Sequence, residues 1–261
     1  NNNLQNDYLY ASVCNNLGLF YQEIQEYEKA ISLHEKSLDI LGKLENYNDI
    51  TGYTQLDIGG IDIAVGRMVV STVKQAEEMV TKVLDYHDKK SYGSWRNNYM
   101  MIADDSDKSS DASLQLKQNE LSTIISSYRP FINIDKIFLD AYVQEAAAGG
   151  ARYPKARQEL FSAFEKGALI FNYLGHGGED GLALERIWEK IDGQTLSNKY
   201  KYPLFITITC EFSRFDNPYR PTAGEYTYWY LTGGAISMIT TLGSIFQGPA
   251  EIFNKKLSEY L

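Results

Sequence analysis

Two residues suited to one kind of chemistry stand at matching places in the chain. In IFNYLGHGGEDG, residues 170–181, a single histidine, His176, follows an apolar run and is surrounded by glycine. Cys210 closes a second apolar run, 34 residues later, in PLFITITCEFSRFDNP. A thiol becomes a strong nucleophile when a neighbouring base favours the thiolate, and an imidazole does this near neutral pH. If two sheet strands bring the ends of these runs together, the pair forms a Cys-His dyad. The backbone amides of Gly177 and Cys210 would then form an oxyanion hole for an acyl-transfer intermediate, and the glycines would let a substrate backbone come close. Taken singly, each residue has a plainer reading: a buried cysteine is usually a small inert hydrophobe, and a histidine near glycines is usually a satisfied loop residue. Their joint placement favours the catalytic reading.

Composition removes several alternatives. The 261 residues, 44% hydrophobic and 23% charged, can bury a full core in one or two domains. A formal net charge of −9, with no stripe of Lys and Arg, makes nucleic acid a poor partner. Cys14 and Cys210 are the only cysteines, too few for a disulfide framework or a four-ligand zinc site. Of the three histidines, His34 and His87 sit in amphipathic helical patterns, which leaves His176 for chemistry. No window approaches the roughly 18 consecutive apolar residues of a membrane span, so none is expected in this chain, and the opening NNNLQND is not a leader pattern.

The elements that must position the pair fall into two parts. Residues 1–50 are expected to form a helical hairpin resembling a single tetratricopeptide unit: Leu17, Gly18, Tyr21, Tyr27, Ala30 and Ser37 have its spacing, small residues letting two helices approach while tyrosines fill the gap. One such unit cannot bury its own apolar face. It is therefore either a packing hairpin or the remnant of a partner-binding array. From residue 56 to 261 strands alternate with helices. Strand-like runs are IDIAVG, YMMIA, DKIFL, ALIFNYLG, PLFITIT and GAISMIT; amphipathic stretches cover 73–87, 113–128, 154–167, 184–197, 224–231 and 249–261. This predicts an α/β fold of three layers, a mostly parallel sheet with helices on both faces. DDSDKSSD, GHGGEDG and CEFSRFDNPYRP follow strands, so they emerge at the carboxyl edge, where open α/β sheets bind ligands.

The wording YLGHGGEDG, ITCEFSRFDNP, AGEYTYW and GGAISMITT resembles the catalytic subdomain of the gingipain-type cysteine peptidases, which share a caspase-like fold, and within them the signal peptidases and sortases of type IX secretion. The likeness covers roughly residues 58–255. It implies His176 as the catalytic histidine and Cys210 as the nucleophile, with an acid to orient the histidine; Asp105 and Asp107 in ADDSD are the candidates, although that loop can equally hold calcium as a structural ion. No cofactor is required, and other metal binding is left open. The resemblance further implies secreted protein cargo as substrate, other type IX secretion components as partners, and a place at the cell surface or outer membrane. The family's preceding α/β subdomain is replaced here by the hairpin, and its C-terminal modules would lie beyond Leu261, so the catalytic subdomain is expected to be incomplete. Around the pair, Glu179 and Asp180 are read as turn-capping charges or as cleft electrostatics, Glu211 and Arg214 as a scaffold pair, and Phe212, Phe215 and Trp188 as pocket walls or packing. Two rival readings are a non-catalytic partner-binding module on a degenerate peptidase fold and a cytoplasmic caspase-like protease gated by the hairpin.

Overall fold

The computed structural model describes Ala11, Cys14 and residues 26–41, 66–109 and 111–260. The chain divides into two compact units, 1–67 and 68–261. In the first, helix α1 (Tyr27–Leu41) carries Ala30 and Ser37 on one buried face, and the Ser37 hydroxyl donates to the Ala11 carbonyl at 2.9 Å. The rest of the expected hairpin, and residues 61–65 of the expected IDIAVG strand, lie outside the described residues.

The second unit runs α2 (Val73–His87), β1 (Asn98–Ala103), α3 (Ser113–Tyr128), β2 (Asn133–Phe138), β3 (Glu145–Ala147), β4 (Gly150–Arg152), α4 (Pro154–Lys166), β5 (Ile170–Leu174), β6 (Gly177–Gly178), β7 (Gly181–Leu182), β8 (Trp188–Glu189), β9 (Leu204–Ile208), α5 (Ala223–Trp229), β10 (Ser237–Ile239) and α6 (Gln247–Tyr260). Helix starts follow local chemistry. The Thr72 hydroxyl accepts the Gln75 N–H ahead of α2, Pro154 opens α4, and Thr222 with Glu225 forms a capping box on α5.

The central sheet has the order β10-β9-β5-β1-β2, and each of its pairings is parallel. Helices cover both faces, which is why β5 is buried at all five positions and reads as a continuous apolar run. On one face Leu160 and Phe164 of α4 join Phe171, Phe205 and Trp188; on the other, Leu121 and Ile125 of α3 and Ala250 of α6 join Met101 and Ile206. This is the three-layer α/β fold expected.

One expected helix is absent. Residues 184–197 form β8 and a 3₁₀ turn at Asp192–Gln194. The Asp192 carboxylate accepts the Glu189 N–H and an Arg157 N–H, each at 2.6 Å, and this ties the segment into a tight turn. Trp188 packs fully buried against Phe161 and Phe164. Two small antiparallel sheets, β3-β4 and β6-β7-β8, occupy stretches whose strands are too short to show a period.

The chain turns one way from β1 to β2 and the other way from β1 to β5. Strand order therefore reverses between β1 and β5, and at such a switch the loops leaving the two strands diverge and open a crevice. The loop after β1 carries Asp104, Asp105 and Asp111; the loop after β5 carries His176 and Glu185; β9, next to β5, leads into Cys210. No described helix is long and apolar enough to cross a membrane.

Candidate active site

His176 is delivered two residues beyond β5 by a loop held tightly from below. Its N–H donates to the Asp104 carboxylate at 2.7 Å, and its carbonyl accepts from the Tyr173 hydroxyl at 2.6 Å and from the Ala183 N–H at 2.9 Å. Gly175 makes this possible by close approach: a Cβ there would overlap Asp104 and lie 2.6 Å from the Tyr173 hydroxyl. At Gly177 a Cβ would lie 2.6 Å from the Thr209 hydroxyl. These two glycines make room for the protein's own side chains, a different reason from the substrate access expected of them, while Gly178 faces open space.

The imidazole is partly exposed, and its Nε2 lies 3.4 Å from Asp111 Oδ2, a carboxylate buried at the foot of α3. That oxygen also accepts the Lys108 N–H at 3.1 Å, which fixes it in place. A carboxylate facing Nε2 selects the tautomer with the proton there and leaves Nδ1 as the basic nitrogen. Of the acids expected from sequence, neither is paired with the imidazole in this structure. Asp105 is buried and accepts from the Tyr153 hydroxyl at 2.7 Å and from Gln144 at 3.5 Å; Asp107 is exposed. Asp111, which sequence reasoning did not single out, is the carboxylate that faces the imidazole, and its local signal is its place just ahead of a helix.

Cys210 lies past the end of β9, partly buried and without a disulfide. The next residue, Glu211, has φ of 52°, the left-handed region that a non-glycine residue seldom adopts. The chain turns sharply there, as Arg214 N–H returns to the Glu211 carbonyl at 3.3 Å. Sγ contacts the Ile245 carbonyl at 3.8 Å and is not hydrogen-bonded to the imidazole. The Glu211 N–H is taken up by the Gly243 carbonyl, whereas the Cys210 N–H has no partner among the described residues.

The surrounding residues are mostly structural. Phe212 and Trp188 are fully buried in the core, the packing role expected as one alternative. Glu211 pairs with Arg214 at 3.3 Å, the scaffold role expected. Glu179 is tied to Arg220 at 2.8 Å, and Asp180 to Lys190 at 2.9 Å. A cavity of about 720 Å³ opens beside His176, lined by Gly178, Asp180, Leu184, Arg186, Lys190 and Ile191 among others. Leu184 and Ile191 are well exposed there, so the opening offers apolar contact between charged rims.

The sequence profile of Peptidase family C25 matches residues 5–261. No curated protein matches the chain. Among solved structures, the complex of Porphyromonas gingivalis RgpB pro- and mature domains is 14% identical with a TM-score of 0.57, covering 72% of this chain and 43% of that one. The Arg-specific cysteine proteinase gingipain R is 14% identical with a TM-score of 0.56, covering 76% and 47%. A third structure, of a protease, is 20% identical with a TM-score of 0.54, covering 71% of this chain and 38% of that one. Likeness at these identities is one of fold, and the chain spans less than half the length of each of these proteins. With the family profile running over almost the whole sequence, the chain belongs to Peptidase family C25.

Proposed function

We propose that the 68–261 unit is a cysteine peptidase domain in which Cys210 is the nucleophile, His176 the general base and acid, and Asp111 the acid that orients the imidazole. The observation that carries this reading is the Asp111–His176 pair at the carboxyl edge of the sheet, on the strand beside the one that leads to Cys210. The Cys210 thiol passes its proton to His176 Nδ1 as sulfur bonds to the substrate carbonyl carbon. The oxyanion is received by the Cys210 N–H, which has no partner among the described residues, and by the Gly177 amide. On collapse the C–N bond breaks, the imidazolium gives its proton to the leaving amine, and a thioester remains. Water then releases an acid, or an amine forms a new amide bond. Sγ contacts the Ile245 carbonyl in this structure, and catalytic hydrogen bonds often form only when substrate binds.

The finer reading rests on the resemblance in YLGHGGEDG and CEFSRFDNP: the substrates are secreted cargo proteins cut ahead of a C-terminal sorting domain, with transfer to an amine acceptor, at the cell surface and beside other type IX secretion components.

The test is the rate of iodoacetamide alkylation at Cys210 from pH 4 to 9, in the intact protein and in His176→Ala. An unperturbed thiol titrates near about 8.5, and one paired with an imidazole titrates lower. Fast reaction persisting at about pH 6 and lost in the variant supports the dyad. A slow rate indifferent to His176 removes it and favours a non-catalytic binding domain.

A further inference from the structure

Past His176 the chain makes a tight hairpin, in which Glu179 and Asp180 join β6 to β7, with Gly178 opposite Gly181 and Gly177 opposite Leu182. One pair earlier, the Ala183 N–H donates to the His176 carbonyl at 2.9 Å. Antiparallel pairs alternate between those that exchange hydrogen bonds and those that do not. Gly177 and Leu182 therefore form a non-bonded pair, and the Leu182 carbonyl is spent on the Ile187 N–H at 3.1 Å, on the β8 side of β7. The N–H and C=O of Gly177 both face away from β7. Because β6 is an outer strand of its sheet, they face an open edge, and such an edge is a template for an extended peptide. Beside it lies the cavity that His176 lines. Leu184 and Ile191 stand 67% and 60% exposed in its wall, Leu184 within a turn whose Ala183 and Arg186 both take positive φ, 61° and 55°. The charges on the rim are matched among themselves, Asp180 with Lys190 at 2.9 Å and Arg186 with Glu189 at 3.7 Å.

We infer that the outer edge of β6 and this cavity form the subsite for the part of a peptide substrate that follows the scissile bond, and that the subsite selects a small residue directly after the bond and a larger apolar one next. The inference deepens the peptidase reading and rests on it. His176 gives its proton to the leaving amine, so the leaving segment lies on the imidazole side of the thiol. The cavity is on that side, lined by His176 and the chain that follows it. With the Gly177 N–H on the scissile carbonyl, its C=O is free to accept from a strand running parallel to β6. In a parallel ladder a residue donates to the carbonyl before its neighbour and accepts from the N–H after it. The residue that keeps the acyl group comes before, so the accepted N–H belongs to the second residue after the bond. Neighbours across parallel strands point their side chains to one face. The first residue after the bond stands beside Gly177, where the Thr209 hydroxyl lies 2.6 Å from the Cβ position and leaves little depth, so a small side chain fits. The second stands beside Gly178, which has open space at its Cβ position and lines the cavity with Leu184 and Ile191. With the rim charges already paired, the gain there comes from burying apolar surface.

The test gives the full chain a synthetic library of randomised peptides and sequences the cleavage products by mass spectrometry. The expected result is an excess of Gly, Ala or Ser at the first position after the cut and of Leu, Ile, Val or Phe at the second. Leu184→Glu, a change at an exposed residue, should abolish the second preference and retain the selection made ahead of the bond; Ile191→Glu carries the same comparison should the first variant not fold. In one peptide taken from the cleaved set, N-methylation of the second residue after the bond should lower kcat/KM at least about tenfold by removing the N–H that Gly177 accepts, and N-methylation of the third should not. Cleavage without preference on the leaving side, a preference that survives in both variants, or an N-methyl group tolerated at the second residue overturns the subsite and keeps the peptidase reading. An uncleaved library together with an unreactive Cys210 overturns the peptidase reading, and the subsite with it.

Discussion

Glu179, three residues past His176, holds the loop that follows Cys210. Its carboxylate accepts from Arg220 at 2.8 Å, from Asn217 at 3.1 and 3.2 Å, and from Arg214 at 3.4 Å, while its carbonyl accepts the Ala223 N–H at 2.8 Å. The loops carrying the imidazole and the thiol are therefore fastened to each other as well as to the sheet. Desolvation works against the charge on Glu179, but the hydrogen bonds from Arg220 and Asn217 and the charges of Arg220 and Arg214 outweigh it and hold the carboxyl below its ordinary value.

That direction fixes a pH dependence. A carboxyl depressed in the folded state contributes stability above its unfolded value, near about 4.3, and loses it as pH falls through the folded value. Glu179→Gln is expected to lower the melting temperature at pH 7 and to flatten its decline between about pH 4.5 and 3. Melting curves of the two proteins across that range check it; parallel declines would show that the clamp contributes nothing through its charge.

On the proposed mechanism, Asp111→Asn should leave the fold intact and slow peptide turnover. A hydrogen bond to a charged group is worth about 1.5–3 kcal/mol, which corresponds to a loss of roughly 10–150-fold in kcat/KM. His176→Ala removes the base itself and should cost on the order of 10²–10⁴-fold. Asp111 acts through the imidazole, so its signature is a change in the pH profile of Cys210 alkylation, with KM for a peptide substrate little altered. An Asp111→Asn protein with an unchanged profile would show the 3.4 Å contact to be incidental.

Much of the frame was legible in the sequence, and the errors have a common cause. Helices α2 and α3 coincide with the segments predicted, 73–87 and 113–128, because their apolar periodicity persists over four turns. The strand ends that carry His176 and the approach to Cys210 were legible as apolar runs closed by polar loops. The acid was not. Asp105 and Asp107 follow β1 closely, but Asp105 turns to Tyr153 and Asp107 to solvent, and the chain continues to the foot of α3 before Asp111 meets an imidazole 65 residues away. No local pattern encodes a contact made by the path of a loop. Leu184 was hidden for a related reason: it lies in a stretch that reads as an amphipathic helix and folds instead around a two-residue strand and a turn held by Asp192.

The backbone at Glu211 allows a third check. A left-handed conformation costs a non-glycine residue of order 1–3 kcal/mol, and the exposed pair with Arg214 returns little of it. Glu211→Gly should therefore keep or slightly raise the melting temperature while preserving Cys210 alkylation, whereas Glu211→Val, β-branched at positive φ, should lower stability by more than about 1 kcal/mol. Urea denaturation of both variants measures this. Equal stabilities would mean that the turn after Cys210 relaxes without constraint.

Beneath the site, β5 carries one polar side chain among its core residues. Asn172 is fully buried, accepts from Gln118 of α3 at 3.1 Å, and donates to the Tyr99 hydroxyl at 3.0 Å and to Asn254 of α6 at 2.8 Å. Asn254 in turn donates to Gln118 at 3.1 Å, so a closed amide network joins two helices to the central strand four residues before His176. Removing one member leaves buried donors and acceptors unmatched, at about 1–3 kcal/mol each. Asn254→Leu should lower unfolding free energy by at least about 2 kcal/mol, since it orphans a donor on Asn172 and an acceptor on Gln118, and should speed hydrogen exchange in α6. The double variant Asn172→Leu/Asn254→Leu should lose less than the sum of the two single changes, because neighbours in one network are not additive. Strict additivity would show that the three amides act as separate hydrogen bonds and that α6 is held by its apolar face alone.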